Sequence, residues 1–132
     1  MKVSRIDHIV LPVKNLDQAF SFYHEVFDMQ EITAQSTADT KTIRCGHQLI
    51  CLHQVDRPLK IQAANPTIGS TNLCIVVKDS VADVLNHLKS YFVEIVDGPI
   101  KKIGSEGEIT SIYIRDYDKN LLEVATYSNK SK

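Results

Sequence analysis

Apolar residues along this chain recur at two different periods, and the switch between them outlines the elements. His8–Val13 alternates like a strand, with Ile9, Leu11 and Val13 on one parity and His8, Val10 and Pro12 on the other. Leu16, Ala19, Phe20, Tyr23 and Phe27 then follow at helical spacing, with Asn15 placed to cap the first turn. Strand-like residues return at Met29–Ser36, and Thr42–Cys45 turns at Gly46 and His47 into Leu49–Val55. The predicted order is one strand, one helix and three strands.

That order then repeats. Sliding the chain along itself lays His8–Asn15 over Asn72–Asp79. Val81, Val84, Leu85 and Leu88 predict a second helix, and Ser80 with Asp83 resembles a capping box at its start. Phe92–Val96, Thr110–Arg115 and Leu121–Tyr127 read as strands, the last two joined by the turn Asp116–Asn120. Leu49–Leu52 lies over Leu121–Val124 at a longer offset, so about eight extra residues fall in the second copy, in a loop at Gly98–Gly107. Asp56–Gly69, with Pro58 and Pro66, reads as the linker. The expectation is a single α+β domain over residues 1–132, with module 1 at 1–55, a linker at 56–69 and module 2 at 70–128. Two βαβββ modules would form a cupped, mostly antiparallel sheet, with helices on its outer face.

Composition narrows the function classes. With 132 residues, 43% hydrophobic, the chain can build one core. A formal net charge of -1, with basic residues grouped only in the tail Lys130–Lys132, argues against a nucleic-acid partner. The longest apolar run, Ile9–Val13, is too short for a membrane span. Arg5 and Asp7 interrupt any leader-like apolar segment at the N-terminus. Three cysteines without C-x-x-C spacing suggest reduced thiols and a cytoplasmic location.

Parity then separates core from chemistry. Ile9, Leu11, Val13, Leu73, Ile75, Val77, Ile50, Leu52, Leu122 and Val124 form wholly aliphatic faces. The opposite parity carries His8, Asn72, Cys74, Cys51, His53 and Glu123 at points matched by the repeat. Glu123 stands between Leu122 and Val124, where a carboxylate is costly unless a cation or protonated ligand meets it. Taken singly, each residue has an ordinary role. His8 could be a structural histidine, Glu123 a salt-bridged strand residue, Cys51 and Cys74 small packing groups, and Asn72 a backbone partner. His24, His47 and His87 read as solvated. The coincidence at equivalent strand positions singles out His8, Cys51, His53, Asn72 and Glu123 as one candidate small-molecule site. Tyr113 and Arg115 share a strand parity that could orient an anionic substrate, or else leave them as plain surface residues.

Arg5–Val13, Ser111–Asp116 and Asn120–Val124 together resemble the vicinal oxygen chelate superfamily of glyoxalase I, fosfomycin-resistance enzymes, extradiol dioxygenases and bleomycin-binding proteins. Cys51–Gln54, Gly69–Cys74 and Gly98–Pro99 are similar to its glyoxalase-domain virulence-protein or lactoylglutathione lyase-like subgroup. The resemblance implies a divalent metal ion (Ni, Zn, Mn or Fe) and a small-molecule substrate. It matches His8 and Glu123 to metal ligands, with His53 as a further candidate ligand. Asn72 stands where a second histidine is usual, and Cys51 where a glutamate is usual, which leaves both, with Tyr113 and Arg115, as substrate-binding candidates. Asp116–Asn120 departs from the common Asp-Pro-Asp-Gly-Asn turn. The implied activity is a metal-dependent lyase or isomerase in which Glu123 also carries the proton. The alternative is a non-catalytic, antibiotic-sequestering type of binding module, and Asn72 argues against an extradiol dioxygenase, which needs two histidines and a carboxylate. A homodimer is the assembly that the resemblance implies.

Overall fold

The computed structural model describes residues 1–128, and the chain divides into two compact units, Met1–Ile68 and Gly69–Lys132. The basic tail Lys130–Lys132 lies outside the described residues.

The first unit runs β1 (His8–Val13), α1 (Leu16–Phe27), β2 (Thr40–Cys45) and β3 (Gln48–Gln54). β3 lies at the centre of the sheet, parallel to β1 and antiparallel to β2. Asn15 caps α1 as its position predicted, its side-chain oxygen accepting from the Gln18 N–H at 2.9 Å. The helix packs on β2 and β3 and buries Leu16, Ala19, Phe22, Tyr23 and Val26. That stripe is turned from the expected one, since Phe20 and Phe27 are only half-buried. Phe20 instead stacks on His24 and takes the Lys41 ammonium over its face at 5.4 Å, a rim position for a ring.

No strand forms at Met29–Ser36. Glu31 makes a lone bridge to Ile43, and Thr33–Gln35 closes one 3-10 turn. Local hydroxyls take up the backbone there: Ser36 donates to the Ile32 carbonyl at 3.0 Å and Thr42 to the Gln35 carbonyl at 2.8 Å. The core of this unit is Leu11, Val13, Ile43, Ile50 and Leu52 under the helix.

The second unit runs β4 (Asn72–Val76), α2 (Val81–Ser90), β5 (Asp97–Gly104), β6 (Gly107–Arg115) and β7 (Leu121–Tyr127). Its sheet order is β4-β7-β6-β5, with only β4 and β7 parallel. Ser80 caps α2 by accepting from the Asp83 N–H at 3.1 Å. Two expectations fail here. Phe92–Val96 is not a strand, because Phe92 takes a left-handed φ of 57° and the Val93 N–H returns to the Leu88 carbonyl at 2.9 Å, closing the helix end. Gly98–Gly107 is not a loop but β5, its turn and the first residue of β6. Gly98 and Pro99 read as breakers, yet an edge strand tolerates a proline that donates nothing. Gly98 is required, since a Cβ there would stand 2.5 Å from the Ser111 carbonyl oxygen and its φ is +102°. The unit's apolar core includes Ile75, Val84, Leu88, Ile109, Ile112, Ile114, Leu122, Val124 and Ala125. The architecture is mixed α+β, with two α-helices and seven strands in two mixed sheets among the described residues. None of those helices is long and apolar enough to cross a membrane.

Candidate functional site

The site in the second unit is built from the turn that starts β7. Asp116 is buried and its Oδ1 accepts the N–H groups of Asp118 and Asn120, both at 2.9 Å. Its other oxygen accepts from the Asn120 amide at 2.9 Å, and Asn120 in turn accepts from the Thr71 N–H at 2.9 Å. This clasp holds the ends of β4 and β7 together and sets their register. Cys74 of β4 and Tyr113 of β6 therefore both lie opposite Glu123.

Glu123 is 7% exposed, yet its carboxylate is fully met. The Ser111 hydroxyl, itself buried, donates to Oε2 in a short hydrogen bond. The Lys102 ammonium lies 3.3 Å from Oε1 and donates to the Tyr113 hydroxyl oxygen at 2.7 Å, standing 5.4 Å from that ring's centre. The Tyr113 contact first, and Glu123 second, favour the charged form of Lys102 and raise its pKa. Packing around the Cys74 sulfur pushes that thiol up, and the Glu123 charge pushes it further in the same direction. A buried carboxylate so placed can accept a proton, and the ammonium–phenol pair beside it can meet an anionic oxygen. Asn72 is exposed at the start of β4, in register with Leu121. Arg115 donates to the Lys119 carbonyl at 3.2 Å, across the turn.

In the first unit, His8 is exposed at the start of β1, and its Nδ1 lies 2.9 Å from Asp7 Oδ1. That hydrogen bond is the main cause of the lowered Asp7 pKa. It favours the tautomer with its lone pair on Nε2, which is how a carboxylate commonly prepares a metal-binding histidine. His53 is different. It is buried, its Nε2 donates to the Arg57 carbonyl, and its Nδ1 accepts from the Thr40 hydroxyl at 2.6 Å, so both ring nitrogens are engaged. Cys51 is half-buried, its sulfur 3.8 Å from the Thr42 hydroxyl. Cys45, Cys51 and Cys74 are free thiols. His24, expected to be merely solvated, is half-buried with Nδ1 2.9 Å from the Met29 carbonyl. Among the described residues, no three His, Cys, Asp or Glu side chains gather as a ready-made metal cluster.

Ser111 and Lys102 were absent from the residues singled out by sequence. The two-residue period could have found Ser111, which shares the parity of Tyr113 on β6. Lys102 lay in a stretch read as loop, where parity has no meaning.

The profile of the Glyoxalase/Bleomycin resistance protein/Dioxygenase superfamily matches residues 5–124. The chain belongs to this superfamily. The matched range includes every residue of the Glu123 setting. The chain is 38% identical over 127 residues to virulence protein STM3117 of Salmonella typhimurium, covering 96% of this chain and 87% of that one. An integron cassette protein structure from V. cholerae has a TM-score of 0.90 and 38% identity, covering 97% and 98% of the two chains. A solved structure of the Listeria monocytogenes fosfomycin resistance protein FosX, in complex with Mn(II) and 1S,2S-dihydroxypropylphosphonic acid, has a TM-score of 0.67. At 22% identity, covering 98% and 96% of the chains, it supports the fold alone. The superfamily thus includes glyoxalase-like and fosfomycin-resistance proteins, at least one of them seen with a divalent metal.

Proposed function

We propose that this chain is a glyoxalase-like lyase or isomerase that uses a divalent metal ion to act on a small oxygenated substrate. The observation that carries the proposal is Glu123: a buried carboxylate held by Ser111 at one oxygen and by a cation, the Lys102 ammonium, at the other. A carboxylate oxygen is a donor type that divalent ions accept. His8 fits for its own reason, since the Asp7 hydrogen bond leaves its Nε2 lone pair outward. Glu123 and His8 are the proposed ligands, each on the chemistry of its own surroundings. When bound, the ion supplies Lewis acidity to a substrate carbonyl or hydroxyl pair. The chain's own residues do the rest. Glu123 takes the proton adjacent to that carbonyl and returns it to the neighbouring carbon. Ser111 fixes the carboxylate, and Tyr113 holds a substrate oxygen. Asn72 and Cys51 line the substrate, Arg115 contributes at the turn, and His53 braces the first sheet.

The same proposal carries a cytoplasmic homodimer, to be measured by sedimentation. Metal analysis of the purified chain is the decisive test. A stoichiometric divalent ion that is lost in His8→Ala and in Glu123→Gln supports the enzyme. A metal-free protein that still binds small ligands refutes it in favour of the non-catalytic binding module. Two observations favour that second function: the nitrogens of His53 are both engaged, and Asn72 offers no imidazole.

A further inference from the structure

Lys102 stands on β5, an edge strand, with its side chain 40% exposed. Its ammonium reaches Glu123 Oε1 at 3.3 Å and the Tyr113 hydroxyl oxygen at 2.7 Å. Around that carboxylate are thus an ammonium, the hydroxyls of Ser111 and Tyr113 and, across the strand pair, the Cys74 thiol. This set does not fit a divalent ion, which calls for several anionic or imidazole donors and is repelled by an ammonium at this range. The positive charge that a Lewis acid would bring to the carboxylate is already present as Lys102.

Two donors there still have a hydrogen to give. An ammonium carries three, and Lys102 commits two of them, to Tyr113 and to Glu123. The Tyr113 hydroxyl accepts from Lys102, and its own hydrogen has no acceptor among the described residues. An oxygen seated against this pair would take one N–H and one O–H. Glu123 stands beside them, with Oε2 held by the buried Ser111 hydroxyl and Oε1 at the ammonium. When Oε1 takes a proton from a carbon acid, the carboxylate loses its charge as the substrate oxygen gains one. The ammonium therefore faces one negative charge before and after the transfer. A fixed donor placed where charge develops is what lowers the barrier to an enolate.

We infer that Lys102 and Tyr113 are catalytic residues that receive an enolate oxygen, so that proton transfer at Glu123 runs without a metal ion on that carboxylate. The substrate class is a small carbonyl compound with a C–H bond next to the carbonyl. That C–H bond breaks as Glu123 Oε1 forms its O–H bond. The C–H electron pair becomes a carbon–carbon double bond, and the carbonyl π pair moves onto the oxygen held by Lys102 and Tyr113. Return of the proton reverses the step, so neither an oxidant nor a reductant takes part. The inference rests on the proposed lyase or isomerase reading and departs from it over the ion alone.

The test uses the full chain stripped with EDTA, desalted into D2O and mixed with hydroxyacetone, with proton NMR following loss of the C–H signal next to the carbonyl. Stripped wild type is expected to exchange faster than buffer, and added Mn(II) should not raise the rate. Lys102→Met and Tyr113→Phe should each slow exchange about a hundredfold, the scale of losing one oxyanion donor. Lys102→Arg, which keeps the charge, should retain more of the rate than Lys102→Met. Lys101→Met, at the neighbouring exposed lysine on the other parity of β5, should exchange like wild type. Circular dichroism checks that each variant is folded. Exchange that appears only with Mn(II) overturns the inference and leaves the metal-dependent reading standing. Exchange in the stripped chain that is undiminished in Lys102→Met and Tyr113→Phe overturns the role of the pair. No exchange in wild type, with or without Mn(II), overturns the inference and the proposed proton transfer together.

Discussion

Replacing Ser111 by Ala deletes one hydroxyl from a fully buried position of β6 and leaves the aliphatic side of the strand untouched. The lost contact is a short hydrogen bond to Glu123 Oε2. A hydrogen bond to a charged group contributes about 1.5–3 kcal/mol, and the range applies in full because solvent cannot replace the hydroxyl. The Lys102 contact to the same carboxylate is exposed and screened by salt, so it should contribute the smaller share. Ser111→Ala is therefore expected to cost about 1.5–3 kcal/mol in urea unfolding followed by circular dichroism. A chain of this length would lose roughly 5–10 °C in thermal midpoint. Thr110→Ala, on the opposite parity of the strand, serves as control and should stay within about 0.5 kcal/mol. In the double mutant with Glu123→Gln, the two costs should fall short of adding by more than about 0.5 kcal/mol, because both remove the same charged contact. Additive costs, or a Ser111→Ala variant as stable as the control, would refute the claim that Ser111 holds the carboxylate.

Two further outcomes follow from the structure. His53→Gln should destabilise the first unit by about 2–4 kcal/mol, because a buried donor–acceptor pair on Thr40 and Arg57 loses its partner, while metal content stays unchanged. Loss of metal with unchanged stability would instead make His53 a ligand. Cys74 in metal-stripped protein should react slowly with iodoacetamide at pH 8, since a raised thiol pKa leaves less thiolate, and the reactive form grows as pH climbs. Glu123→Gln removes one of the two causes and should speed the labelling; an unchanged rate would show that the Glu123 charge does not act on that sulfur.

The aliphatic faces were largely legible because a two-residue period follows from strand geometry: Leu11, Val13, Ile50, Leu52, Ile75, Leu122 and Val124 are buried, while Ile9, Leu73 and Val77, nearer the sheet margins in sequence, are half-buried. Glu123 was legible for the same reason, as a charge on a strand flanked by buried residues. The helix caps at Asn15 and Ser80 were legible because capping is local. What failed was decided by contacts distant in sequence or by small polar groups. Met29–Ser36 has the apolar content of a strand, but hydroxyls of Ser36 and Thr42 supply the hydrogen bonds a neighbour strand would have given. Gly98 and Pro99 signalled a loop, and only the close pass over Ser111 explains why a strand needs them. Lys102 could not be placed beside Glu123 until β5 was known to be a strand.

The parallel pairing of β4 with β7 also bears on how the second unit assembles. Thr71 and Asn120, whose hydrogen bond clasps the two strands, are 49 residues apart. The hairpin of β5 and β6 can close early through its two-residue turn, since short loops are quick to form. β4 must wait for β7, and the entropy of closing that long loop has to be met before the contacts return anything. The hydrogen-bonded setting of Glu123 is thus among the last features to be completed. During synthesis, β4 would emerge with its hydrogen-bonding edge bare and remain so until the final strand arrives. That interval, rather than the finished fold, is where this unit is most exposed to pairing with the wrong partner.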